Sequence, residues 1–153
     1  LVYSDSTTNA IKPYILFGMS YNGEFWFARD EYGGSSNYQG RKDINMNDDN
    51  WHFAVWTSFG SGSSNRFYVD GTEIQLNWQD GMNPDGVWFD DQPTDGFSIG
   101  ALDRPDDICG WNGLLDEVRI SDSPLPSAWI TTEYANQNNP TGFVSLGPEE
   151  PGP

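Results

Sequence analysis

Cysteine occurs once in the 153 residues, at Cys109, which excludes an internal disulfide framework and a cysteine-rich zinc site. Histidine also occurs once, at His52. One thiol and one imidazole far apart in sequence make a poor nucleophile–base pair, and each reads more simply as a packed residue. Basic residues are scarce: 7 Lys and Arg against 23 Asp and Glu give a formal net charge of −16. Binding a phosphate backbone needs clustered cations, so nucleic acid is a poor partner. The acidic surface favours solubility and divalent cations instead. Long apolar runs are missing too, and no stretch approaches the ~20 residues of a membrane helix, so no membrane insertion is expected. Residues 1–5 lack the basic-then-apolar pattern of a signal peptide. The sequence holds no internal repeat, Asn-x-Ser/Thr site, phosphate loop, HExxH or Ser-His-Asp set.

Aromatic residues are plentiful, with 7 Trp, 7 Tyr and 9 Phe, so the chain does not resemble a disordered acidic tail. Gly at 17 and Pro at 10 punctuate it often. Aromatic segments between frequent turns predict many short strands. Strands are expected at 13–20 and 24–29 around the Asn22-Gly23 turn, more weakly at 38–44, then at 51–58. Another hairpin is expected at 67–69 and 72–76 around Asp70-Gly71. Further strands are expected at 97–101, 114–121 and 143–146. Pro124 and Pro126 suit the start of a short helix over 127–135 that buries Trp129, Ile130 and Tyr134. Residues 1–146 then form one domain, and the Pro/Gly/Glu-rich 147–153 a linker or tail.

Several segments resemble laminin-G-like modules of the concanavalin-A-like superfamily found in microbial surface proteins. Asp49-Asn50-Trp51-His52-Phe53-Ala54-Val55 matches a core strand, and Phe67-Tyr68-Val69-Asp70-Gly71 a hairpin. Phe97-Ser98-Ile99-Gly100, and Trp111-Asn112-Gly113-Leu114-Leu115-Asp116-Glu117-Val118-Arg119-Ile120-Ser121, match its closing strands. The tail from Ala128 through Trp129, Glu133, Tyr134, Asn136, Gln137 and Pro140 to Phe143 is similar to a frequent module ending. The resemblance implies an all-β fold: a two-sheet antiparallel jelly-roll sandwich with one short C-terminal helix. It also implies opening strands before residue 13, where only residues 1–12 stand. A sheet edge left open there would invite strand addition.

Between residues 80 and 116 stand nine Asp and one basic residue, Arg104. Calcium takes six to eight oxygens, so clustered carboxylates are its expected ligands. Asp103, Asp106 and Asp107 form the first candidate cluster, with Asp90, Asp91 and Asp95 the second; a solvated acidic face explains either equally well. Asp116 shares a face with Leu114, Val118 and Ile120, where a lone charge is costly. Its carboxylate needs backbone amides of a nearby turn or a calcium ion. Trp78, Trp88 and Trp111 flank acidic or glycine-rich loops, as rings that stack on sugars do, with Asn83, Asp85 and Gln92 as partners for hydroxyls. Core packing is the plainer role for any of these tryptophans. The glucanase arrangement Glu-x-Asp-x-x-Glu is absent, and Asp116 and Glu117 alternate across a strand, so no catalytic residue is assigned. The expected function is a non-catalytic extracellular module binding a glycan or another cell-surface polymer, with calcium as a candidate cofactor. The alternative is a structural block of a surface layer or filament, joined to copies of itself or to neighbouring domains through a sheet edge.

Overall fold

The computed structural model describes residues 2–5, 14–20, 22–30, 37–59, 65–78, 96–104, 107–144 and 147–148. Eleven strands come first: β1 (Val2–Asp5), β2 (Tyr14–Met19), β3 (Phe25–Asp30), β4 (Asn37–Lys42), β5 (Ala54–Thr57), β6 (Arg66–Val69), β7 (Thr72–Ile74), β8 (Asn77–Trp78), β9 (Gly96–Ile99), β10 (Ala101–Arg104) and β11 (Asp107–Gly110). Two helices, α1 (Ser127–Asn138) and α2 (Pro140–Phe143), follow. The strands pair antiparallel in a six-stranded sheet of order β8-β4-β3-β2-β1-β9, a three-stranded sheet β5-β6-β7, and the hairpin β10-β11. This is the expected all-β sandwich with its C-terminal helix.

The β2–β3 hairpin turns at Asn22-Gly23, where Gly23 holds φ 81°. Only glycine enters that region freely. The Gly23 N–H donates to Ser20 O at 3.0 Å, and the Ser20 N–H to Glu24 O at 2.9 Å. The register Phe17↔Phe27 and Met19↔Phe25 then sets alternate residues on one face. Ile15, Phe17, Phe25 and Phe27 meet Phe67, Val69 and Trp56 of the facing sheet. Phe27 lies 5.0 Å from the Phe67 ring and 4.9 Å from that of Trp56. Edge-to-face and tilted rings at this spacing add to simple area burial. Leu16 and Ala28, on the opposite face of the six-stranded sheet, are buried as well.

Several elements differ from expectation. The opening strand β1 lies between β2 and β9, so residues 2–5 fill an inner position of the sheet. The weak strand at 38–44 is β4. Asn77-Trp78, outside every expected strand, pairs with Gly40-Arg41 at the sheet edge. The acidic stretch after Gly100 is a hairpin whose arms hold Asp103 and Asp107. Residues 114–121 form no strand: Glu117 sits at φ 52°, and a left-handed residue breaks an extended ladder. In α1, Ile130 and Tyr134 share the inward face four residues apart, whereas Trp129, one position off that face, is 44% exposed. The strand expected at 143–146 gives way to α2 at its start; Pro140 opens the turn and Asn139 Oδ1 accepts the Gly142 N–H at 3.0 Å. Residues 145–146 lie outside the described residues.

Candidate functional site

His52 is the centre of a built polar cluster. Its Nδ1 lies 2.8 Å from Asp70 Oδ2 and its Nε2 3.0 Å from Asp48 Oδ1. Carboxylates only accept, so both contacts are hydrogen bonds only when the ring carries two N–H groups. Burial opposes that charge, but the bonds to Asp70 and Asp48 outweigh it and raise the His52 pKa above its ordinary value. Asp48 also accepts the Asn50 N–H at 3.0 Å. Its hydrogen bonds with Asn50 and then His52 hold its pKa down at about 2.

The cluster ties three elements together. Asp70 stands at the β6–β7 turn with φ 51°, followed by Gly71 at φ 73°. Two successive left-handed residues make the tight hairpin turn that Asp-Gly favours. Asp70 Oδ1 accepts the Phe53 N–H at 2.9 Å, and the Asp70 N–H donates to Phe53 O at 2.8 Å. On the far side of the turn, Thr131 Oγ1 of α1 donates to Gly71 O at 3.1 Å. The Tyr134 ring covers Gly71, where a Cβ would sit 2.8 Å from Tyr134 Cδ1. Residues 48–53 and the Tyr-Val-Asp-Gly turn are thus two halves of one clamp, segments that the sequence shows only separately. Its signal was the four-residue spacing of Asp48 and His52 beside an Asp-Gly turn. His52 is a packed, hydrogen-bonded residue, as expected. Trp51, placed by sequence in a strand, precedes β5 and is 65% exposed.

Of the sequence-derived ligand residues, Trp78 and Trp111 lie among the described residues. Trp78 packs its ring 6.1 Å from Phe27 and 6.0 Å from Phe67, inside the sandwich core. Gly40 makes room for it: a Cβ there would lie 2.8 Å from Trp78 Cζ3. Trp111 is half-buried against Gly113, and its Nε1 has no partner among the described residues. Asn83, Asp85, Trp88 and Gln92 lie outside the described residues.

Asp103 stands opposite Ile108 and Asp107 opposite Arg104, so the two are not cross-strand partners. Asp106 lies outside the described residues, as do Asp90, Asp91 and Asp95. Asp116 is exposed rather than set on a buried apolar face, which corrects its expected placement, and its Oδ1 accepts the Glu117 N–H at 2.8 Å, a backbone amide being one of its two expected partners. Solvent removes the desolvation cost that called for a cation. Among the described residues, no three His, Cys, Asp or Glu side chains are grouped to hold a metal. No helix among them is long and apolar enough to cross a membrane.

Comparison with curated proteins and with solved structures returns no match. A family model does match, that of the concanavalin A-like lectin/glucanases superfamily in its laminin-G-like form, over residues 1–131. The match spans β1 to the first turn of α1, both sheets included. Sandwich folds of this kind host binding modules as well as hydrolases, so the fold fixes the scaffold and not the chemistry. With its antiparallel sheets, its aromatic inter-sheet core and that match, the chain belongs to the laminin-G-like branch of the concanavalin A-like lectin/glucanase superfamily.

Proposed function

We propose that this chain is a non-catalytic recognition module of an extracellular or cell-surface protein, and that it binds a glycan or a related surface polymer. The family match over residues 1–131 is the observation that carries this reading. The proposed contacts are Trp88, Asn83, Asp85 and Gln92, in the segment that joins β8 to β9 at opposite edges of the six-stranded sheet. Trp78 is left out of these contacts, since its ring is engaged by Phe27 and Phe67 in the core. Trp111 is a further proposed contact; its backbone N–H donates to Gly100 O, just after β9, at 2.8 Å. The lack of a Glu-x-Asp-x-x-Glu arrangement in the sequence supports binding without hydrolysis. Calcium enters this reading through the aspartates of 80–107 alone, with Asp103, Asp106 and Asp107 as its first candidates. Titration with soluble polysaccharides, followed by tryptophan fluorescence with calcium and with EDTA, tests the reading. Saturable binding lost in Trp88→Ala supports it, and no response to any polysaccharide in either condition rejects it.

The second reading is assembly through a sheet edge. It is favoured by the apolar side chains exposed at and beside β9.

A further inference from the structure

The chain's single histidine is bonded through both ring nitrogens to carboxylates of two different elements. Asp70 comes from the β6–β7 turn and Asp48 from the loop before β5. The charges that act on the ring are those of Asp70 and Asp48. α1 brings Thr131 and Tyr134 to the far side of the turn, and the Tyr134 phenol stays neutral until about pH 10. A carboxylate only accepts, so a ring with one N–H satisfies one of the two and turns a lone pair on the other. Loss of a single proton thus replaces a charge-assisted bond by a lone pair facing an anion.

The two carboxylates are not equally free to respond. Asp70 Oδ1 also accepts the Phe53 N–H at 2.9 Å, and the Asp70 N–H donates to Phe53 O at 2.8 Å. Asp48 stands in an exposed loop, and Asn50 of that same loop supplies its other bonds. Its Oδ1 accepts the Asn50 N–H at 3.0 Å, and its carbonyl accepts from Asn50 Nδ2 at 3.3 Å, so these partners travel with it. The loop is anchored on either side. Before it, the Met46 N–H donates to Gly23 O at 3.1 Å, and Asn47 packs on Gly23. After it stands the Phe53–Asp70 pair. Between the anchors, Asp49 holds φ 64°, a left-handed position that persists where the surroundings enforce it. Trp51, 65% exposed, ends the segment beside His52.

We propose that His52 is a proton-operated latch for residues 48–51: with both nitrogens protonated it pins Asp48 to the sandwich, and loss of the Nε2 proton frees the segment while Asp70 keeps the Nδ1 proton. The sandwich stays folded, because the Phe53–Asp70 pair does not depend on the ring. The freed segment carries the exposed Trp51 indole, so the surface it presents changes with pH. The latch closes on the acid side. Burial opposes the His52 charge, but the bonds to Asp70 and Asp48 outweigh it and raise its pKa above 6.5. Bonds from Asn50 and then His52 keep Asp48 ionised down to about pH 2. The latch therefore holds between these limits and opens as the pH rises through the folded His52 value.

The test is NMR of the whole nitrogen-15-labelled chain from about pH 5 to about pH 9. A single histidine makes the ring signals unambiguous. The expected result is two protonated ring nitrogens at acid pH and the Nδ1–H tautomer above the transition. At the same midpoint the backbone order parameters of residues 48–51 should fall from about 0.85 to below about 0.6, while those of Met46, Phe53 and Asp70 keep the rigid value. Asp48→Asn separates the latch from general loosening. An amide donates to a bare Nε2 and accepts from a protonated one, so this loop should stay ordered across the range. Near-UV circular dichroism checks that the variant is folded, and the natural chain's titration stands without it. A ring that keeps both protons throughout, an Nε2–H tautomer, or order at 48–51 that ignores the His52 transition overturns the latch. Loosening that spreads to Phe53 and Asp70, or that persists at the same midpoint in Asp48→Asn, overturns it as well.

Discussion

Replacing Asp70 by alanine tests how the two halves of the sandwich motif are joined. The change removes two acceptors at once: that of the Phe53 N–H at 2.9 Å and that of the His52 ring at 2.8 Å. Each donor left unpaired costs about 1–3 kcal/mol when buried. The Asp70 side chain is 32% exposed, so water recovers part of this and the lower end of the range applies. Alanine at φ 51° adds about 1 kcal/mol, because aspartate tolerates the left-handed region better. The sum is about 2–4 kcal/mol, or roughly 5–15 °C in Tm for a chain of this length. Asp70→Asn keeps the acceptor for Phe53 and the tolerance for positive φ, so it should lose about half as much.

The pH profile separates the charge from the geometry. His52 has a folded-state pKa above its ordinary value of 6.5. Its contribution is therefore fully present below pH 6.5 and is lost as the pH rises through that higher folded value. Thermal unfolding of the natural sequence should lose stability over this interval, while Asp70→Asn should show a flatter curve. Differential scanning calorimetry from pH 5 upward reads both. An Asp70→Ala Tm within a degree of the natural value, or an unchanged alkaline slope in Asp70→Asn, would refute the clamp.

Three further outcomes follow from the same geometry. Gly71→Ala places a Cβ 2.8 Å from Tyr134 Cδ1 at φ 73°, so it should destabilise by about 1–3 kcal/mol and lower Tm in thermal melts. Phe27→Ala empties the ring position shared by Phe67, Trp56 and Trp78, and should cost about 3–5 kcal/mol in urea unfolding. Asp48, held at a pKa of about 2 against 3.8 for the free group, contributes stability above pH 3.8 that is lost as the pH falls through 2. The Tm gap between the natural sequence and Asp48→Asn should therefore narrow over that interval.

The fold was legible where local chemistry and pairing agree. Asn22-Gly23 and Asp70-Gly71 mark their hairpins because their turns need positive φ, which few residues accept. The core face of β2 and β3 follows from strict alternation around Phe17, Phe25 and Phe27. The site was less legible, because an aromatic residue carries no mark of which side it packs on. Trp78 was weighed as a sugar platform, yet two residues of pairing to Gly40-Arg41 and the space above Gly40 place it in the core. Trp51 was given a strand position and is exposed. No strand was expected over residues 102–110, since aspartate is a poor strand former, yet cross-strand pairing prevails there in β10 and β11. Alternation at 114–121 showed a strand pattern without showing a partner, and the φ of Glu117 is not written in its neighbours.

The central claim, that this laminin-G-like chain recognises a glycan through the segment between β8 and β9, is tested most directly by binding. The measurement is isothermal titration calorimetry of the natural chain and of Trp88→Ala against a panel of polysaccharides, each with calcium and with EDTA. Saturable heat for at least one polysaccharide that disappears in Trp88→Ala is the predicted result. No heat for any polysaccharide, or equal binding by both proteins, would contradict it.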